Sequence, residues 1–322
     1  MSINIGTVRV MALFGSVSLA LIPLAAIGQS KPETTEPIKL AIANTSDADT
    51  ITYVFAEALK KAGYAVKIQP TDYAAHYTAV GTGDIDMLVD AWPTYPELRS
   101  AVLATGKAAD YGSTGVMARE GWWYPLYVKD KCPGLPDWKA LKNEACVKAL
   151  STAETAPNAR FIDAPADWST NSDKRASALG LKVTIINSGS SAALSAALQG
   201  AIDKKEPVIG WGIEPFWVTA RNKGEWVEFP AFEEACLTDP KWGINPNETF
   251  DCGFRRGEVT KIGNVAAMKK MPYAERILKN FKFDAKDVAA AVYAIDVEGT
   301  PIEKYAADWA AKNSATVDSW LK

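Results

Sequence analysis

The sequence predicts an α/β protein of two doubly wound lobes, and three observations carry that expectation. Apolar runs of strand length alternate with segments of helical spacing between positions 38 and 91. The alternation returns between positions 160 and 211. The chain has 322 residues, 48% hydrophobic and 23% charged, which is ordinary globular composition and enough for two lobes of roughly 100–150 residues.

Before the first strand the chain carries the marks of a processing signal. Arg9 supplies a positive start, Met11 to Ile27 is largely apolar, and Ala26-Ile27-Gly28 fits the small-x-small cleavage pattern. Positions 1–28 are therefore expected to be a cleaved signal peptide, with export to the periplasm. An apolar run of about 17 residues is short for a membrane span, and no basic stop-transfer flank follows it. No cysteine lies near the cleavage site to take a lipid anchor.

Ile38 to Ala43 reads as the first buried strand, followed by a loop over positions 44–49. Ile51, Val54, Phe55, Ala58, Leu59 and Ala62 then recur at helical spacing, with Gly63 placed to end the helix. Val66 to Ile68 is a second strand and Tyr73 to Val80 a short helix. Met87 to Ala91 is a third strand, stopped by Trp92-Pro93, because proline cannot donate to a ladder and pushes its predecessor toward extended geometry. A large ring is thus fixed at the carboxyl end of a core strand, where open α/β sheets bind their ligands. A helix is expected from Tyr95 to Thr105.

The character changes at Gly115 to Gly121, after which Trp122 to Val128 is aromatic and extended. Arg160 to Ala164 is a strand, and Trp168-Ser169-Thr170-Asn171 leads into a helix ending at Leu179-Gly180. Val183 to Asn187 is a strand, Ser191 to Ile202 a helix and Val208 to Trp211 an apolar strand. From Glu214 onward the chain is expected to cross back. Trp226 to Phe229 is a short strand, and Ile262 to Met271, Tyr273 to Asn280, Ala285 to Ile295 and Ile302 to Ala311 read as helices. The expected organisation is lobe one over 29–118, lobe two over 119–215 and a return to lobe one over 216–322.

Net charge is −3 with no long basic run, so nucleic acid and anionic membranes are poor partners. No GxSxG, HExxH, Walker or GxGxxG pattern occurs, and His76 is the single histidine. An exported enzyme acting on a small osmolyte would need His76 or Asp47 as its base. No metal site or cofactor is expected. Cys132, Cys146, Cys236 and Cys252 form two sequence-local pairs. In an oxidising compartment these suggest disulfides Cys132–Cys146 and Cys236–Cys252, although four cysteines allow three connectivities.

What the chain does have is rings at element ends. Trp92 ends a strand of the first lobe, Trp168 stands just before a helix, and Trp211 ends a strand of the second lobe. Core packing alone explains any one of them, but three converging rings make a box for a soft cation. A quaternary ammonium has no hydrogen to donate, so it is recognised by ring faces at roughly 0.5–2 kcal/mol each. Backbone N–H groups of Ser169 and Thr170 at a helix start would suit a carboxylate, while a plain N-cap is the alternative. Asp47 would complement a cation that has no carboxylate of its own.

With Asp90-Ala91-Trp92-Pro93, Gly121-Trp122-Trp123-Tyr124, Pro165-Ala166-Asp167-Trp168 and Gly210-Trp211-Gly212-Ile213-Glu214-Pro215-Phe216-Trp217, the chain resembles the substrate-binding proteins of ABC importers for glycine betaine, proline betaine and choline. That resemblance implies a type II periplasmic-binding-protein fold, with two lobes joined by a two-strand hinge. The implied partners are a small quaternary-ammonium or sulfonium ligand and a membrane permease, with the protein a monomer and not an enzyme. The implied cage is Trp92, Trp168 and Trp211, with the amides of Ser169 and Thr170 on the ligand carboxylate. In the choline branch, residues at the positions of Tyr124 and Asp47 also line the site, but a further Trp of that branch is replaced here by Thr45. Glycine betaine, proline betaine, choline, carnitine and dimethylsulfoniopropionate all remain open as ligands.

Overall fold

Burial and local hydrogen bonding decide where each element of the fold begins, and the computed structural model describes them for residues 1–3, 32–93 and 95–322. Most of the expected signal peptide lies outside the described residues. No helix among the described residues is long and apolar enough to cross a membrane. Strand β1 (Ile38–Ile42) is followed by helix α1 (Ser46–Lys61), whose start precedes the sequence expectation by one turn. The reason is Asp49, whose carboxylate accepts the Ala43 and Thr45 amides at 2.9 and 3.0 Å. Asp47 and Asp49 therefore sit in the helix's first turn rather than in a loop, where acids favour the dipole.

The rest of the first half is β2 (Val66–Pro70), α2 (Tyr73–Thr82), β3 (Met87–Ala91) and α3 (Pro96–Ala104). Strand β4 (Ala108–Pro125) follows; its 18 residues were not foreseen as one strand. The second half has α4 (Glu144–Leu150), β5 (Ala159–Asp163), α5 (Ser172–Ala178) and β6 (Val183–Asn187). It continues through α6 (Ser191–Asp203), β7 (Gly210–Glu214), α7 (Trp217–Arg221), β8 (Gly224–Trp226) and α8 (Ala235–Thr238). Then come β9 (Gly257–Asn264), α9 (Val265–Lys270), α10 (Pro272–Asn280), α11 (Ala285–Asp296), α12 (Ile302–Lys312) and α13 (Ser314–Trp320).

The strands run in the order β2-β1-β3-β9-β4-β7-β5-β6, with β8 on the far end of β4. β1 pairs parallel with β2 and β3, and β5 pairs parallel with β6 and β7, so each half is wound around its own parallel core. β4 belongs to both halves. It pairs antiparallel with β9 from Ala108 to Ala118, then with β7 from Arg119 to Trp123, and then with β8. Ala118 faces Gly257 in that ladder, so the outgoing and returning chains cross side by side. This is a two-strand connection between α/β halves.

Two sequence expectations are corrected here. The helix expected over 262–271 is in its first part strand β9, because Val259 and Ile262 lie fully buried between β3 and β4. Those partners are more than a hundred residues away in sequence and leave no local periodicity to read. The second correction concerns the return to lobe one, expected at position 216. β8 pairs with β4 in the second half, and Arg175 of α5 donates to the carbonyls of Cys252 and Gly253 at 2.7 and 3.2 Å. Residues up to about 256 therefore belong with the second half by hydrogen bonding. Both cysteine pairs form as expected, Cys132–Cys146 and Cys236–Cys252.

Candidate functional site

The Gly-Trp-Gly run of β7 shows how the sequence sets a ring in place. A Cβ on Gly210 would meet the Ile162 carbonyl oxygen at 2.6 Å, and one on Gly212 would meet the Trp123 Cβ at 2.5 Å. Only glycine on both sides lets β7 lie this close to β5 and to the Trp123 side chain of β4. Trp211, only 2% exposed, is thereby fixed between them. Its ring stands edge-on to Phe254 with centroids 5.2 Å apart.

Trp92 is anchored differently. It follows β3 directly, and its backbone is pinned by two tyrosines of α2. The Trp92 N–H donates to the Tyr73 hydroxyl at 2.9 Å, and the Tyr77 hydroxyl donates to the Trp92 carbonyl at 3.4 Å. Tyr73 in turn donates to the Asp90 carbonyl. Tyr95 packs on Tyr73 at 5.2 Å and Tyr77 at 6.3 Å, completing a buried aromatic cluster. The Tyr95 hydroxyl reaches across to donate to the carbonyl of Trp168. Trp168 closes a 3-10 turn, Ala166–Trp168, and stays half-buried.

These residues meet around one cavity with about 390 Å³ of atom-free space. Trp92, Tyr73, Tyr95, Thr45 and Asp47 line it from the first half. Trp168, Thr170 and Trp211 line it from the second, and Glu120 from β4. No lysine or arginine is part of this lining among the described residues. The indole N–H groups of Trp92 and Trp211 are buried without a hydrogen-bond partner among the described residues. A buried donor left unpaired is costly, so such a group in a native fold calls for an acceptor.

The first-half wall is acidic. Asp47 is 4% exposed, and burial pushes its pKa up to about 6. Burial likewise raises Asp49 to about 7 despite the two amides it accepts, with Asp47 adding repulsion. Asp90 is fully buried, and burial together with the charges of Asp49 and Asp47 holds it well above the carboxylate range. Crowded carboxylates in a low dielectric favour a bound cation, which would restore their ionised forms.

Other expected residues fall outside the cavity. Tyr124 is fully buried on β4, and its hydroxyl donates to Glu225 at 2.9 Å, away from the lining. Ser169 is exposed, and its N–H already donates to the Ala166 carbonyl at 3.2 Å. Helix α5 starts only at Ser172, because Ser169 and Asn171 take left-handed conformations at φ 51 and 54. The amides of Ser169 and Thr170 are thus not at a helix N-terminus as expected. Thr170 does line the cavity, with its hydroxyl donating to Asp163 at 2.7 Å. His76 is buried beside the Thr71 carbonyl at 3.2 Å and is not part of the lining. Sequence reasoning missed Tyr73, Glu120 and the buried Asp49 and Asp90. The Asp90-Ala91-Trp92 run was a readable hint for the last of these.

Two α/β halves, a two-strand connection and an aromatic cavity at the strand carboxyl ends define a solute-binding protein of the type II periplasmic-binding-protein fold. The comparisons are specific about which kind. Residues 36–312 match the OpuAC family, described as the substrate binding domain of ABC-type glycine betaine transport systems, and the chain belongs to that family. It is 26% identical to a trimethylamine N-oxide-binding protein of Pelagibacter ubique, over 98% of this chain and 99% of that one. Among solved structures it is similar to lactococcal OpuAC closed on glycine betaine, with TM-score 0.66 and 20% identity, covering 89% of this chain and all of the other. A choline-binding protein of an ABC transporter in complex with choline gives TM-score 0.69 at 17% identity, covering 90% of this chain and 93% of the other.

Proposed function

We infer that this chain captures a small methylated-ammonium solute between its halves and delivers it to a membrane permease after export to the periplasm. One observation carries the reading. Trp92 from the first half and Trp168 and Trp211 from the second line one cavity whose charged side chains, among the described residues, are all acidic. A ligand touching both halves stabilises the closed form by its differential contacts. Glycine betaine, the solute named for the family, is the first candidate ligand; proline betaine, choline and carnitine share its quaternary ammonium, and dimethylsulfoniopropionate offers a sulfonium as its soft cation. The protein acts as a monomer and performs no chemistry on the solute.

A second reading replaces glycine betaine by trimethylamine N-oxide, and two observations favour it. The unpartnered indole N–H groups of Trp92 and Trp211 would both suit an oxygen placed directly on the nitrogen. The full-length relative in Pelagibacter ubique is named for that ligand.

Calorimetric titration of the mature protein with tetramethylammonium, glycine betaine, choline and trimethylamine N-oxide tests both readings, with proline as the control. Saturable binding of at least one methylated compound and none of proline is expected. Binding of proline alone, or of nothing by a folded protein, would remove the cage reading. Trimethylamine N-oxide outranking glycine betaine would select the second.

A further inference from the structure

A second cavity, with about 690 Å³ of atom-free space, lies against the cage and shares Tyr95 and Thr170 with it as walls. Its other side is formed by Arg175, Phe250 and Phe254. Arg175 is only 3% exposed. Its Nε and one Nη donate to the carbonyls of Cys252 and Gly253, and its other Nη has no partner among the described residues. The guanidinium lies 3.6 Å over the Phe254 ring, which also stands edge-on to Trp211.

This is a buried positive charge held by dipoles and rings instead of by a carboxylate. The acid acting on it, Asp163, accepts the Thr170 hydroxyl at 2.7 Å and the Ala164 amide at 2.9 Å. An Arg presents five N–H donors, and a carboxylate is the group that matches their fork. The wall between the cavities is not one continuous element. Tyr95 comes from the first half and Thr170 from the second, so the wall forms only when the halves meet. A ligand bound before closure can lie across it.

We propose that the Arg175 cavity is a carboxylate subsite extending the cage, so that the chain accepts trimethylammonium compounds whose carboxylate sits at the end of a flexible spacer of about three carbons. The cation then rests among Trp92, Trp168 and Trp211, and the carboxylate enters beside Phe254. This rests on the cage reading and replaces the Ser169 and Thr170 amides as the expected carboxylate partner. Asp47 and Glu120 line the first cavity, while Arg175 and Arg255 outnumber Glu97 in the second, so the two ends of such a zwitterion meet fields of opposite net sign.

The test compares 4-(trimethylammonio)butanoate with butyltrimethylammonium, which has the same cation on a four-carbon tail without the anion. The mature wild-type protein is expected to bind the butanoate at least tenfold more tightly. In Arg175→Met that ratio falls toward one. Because Arg175 also holds the 252–253 backbone, Leu237→Trp provides a second route: it keeps the arginine, fills the cavity, and is expected to lower the ratio as well. A wild-type ratio near one, with tetramethylammonium still bound, overturns the subsite alone, as does a ratio that survives in both variants. Failure to bind tetramethylammonium at all overturns the cage and the subsite with it.

Discussion

The two walls of the cage are built on different principles. The first-half wall stands on regular elements: Trp92 at the end of β3, Asp47 in the first turn of α1, and tyrosines locked by hydrogen bonds to the Trp92 backbone. The second-half wall depends more on irregular chain. Trp168 sits in a 3-10 turn followed by left-handed residues, and only Trp211 is on a strand. The charges differ too, with three buried acids behind the first wall and a buried arginine behind the second. Under the proposed function, the difference assigns the first wall to a prebuilt cation receptor and the second to closing over the ligand and reading what is attached to it.

The comparison is tested most severely by separating structural tryptophans from cage tryptophans in the second half. Trp122 is fully buried and stacked on Phe161 at 4.1 Å, without lining the cavity. Trp122→Ala should cost about 3–5 kcal/mol of stability in urea unfolding, while the surviving folded fraction keeps its ligand preference. Changed preference at full stability would mean the second wall extends deeper than drawn.

Next in size is the brace behind that wall. Replacing Cys236 and Cys252 by serine opens a loop of sequence separation 16 and should cost about 3 kcal/mol, read from denaturant unfolding. The equivalent pair at Cys132 and Cys146, remote from the cavity lining, should cost a similar amount but weaken ligand binding less. Equal effects on binding would place no special weight on the 236–252 loop.

Cage substitutions come third. Trp92→Ala and Trp211→Ala should each weaken binding by about 1–2 kcal/mol as a cation–π face is lost, roughly tenfold in Kd by fluorescence titration. Trp92→Ala is expected to weaken tetramethylammonium and glycine betaine alike, because the prebuilt wall meets the cation. Wild-type affinity in either variant would break the cage.

The smallest effect is a pH dependence that only the acidic wall should show. Asp47 and Asp49 have folded pKa values raised to about 6 and about 7, above an ordinary 3.8. Between those limits the native state holds protons that the unfolded chain has released. The unliganded protein therefore loses stability as pH rises from about 4 to 7. A bound cation favours the ionised carboxylates, so affinity for tetramethylammonium should fall several-fold from pH 8 to pH 5. Asp47→Asn should flatten that profile, and an affinity independent of pH in the wild type would remove Asp47 from the binding energetics.

Much of this site was legible before any coordinates. Trp92-Pro93 announces a ring at a strand end, since a proline there stops the ladder, and Gly210-Trp211-Gly212 announces a ring between two close backbone contacts. Ser169 and Thr170 were misread because Ser, Thr and Asn cap helices so often. Here the left-handed turn at Ser169 and Asn171 delays the helix to Ser172. Tyr124, which only the resemblance to the choline branch brought to the site, donates to Glu225 and is not among the residues lining the cavity.

The sequence by itself determined the α/β alternation of both halves, the two disulfides and three tryptophans at element ends that line one cavity, because each rests on local periodicity, spacing or a residue with restricted geometry. Tertiary structure alone decided that β9 is a strand, that the chain returns near position 256, that Asp47, Asp49 and Asp90 crowd behind one wall, and that Arg175 lies buried beside the other. These depend on partners distant in sequence. The fields and desolvation they create exist only once the chain has brought those groups together.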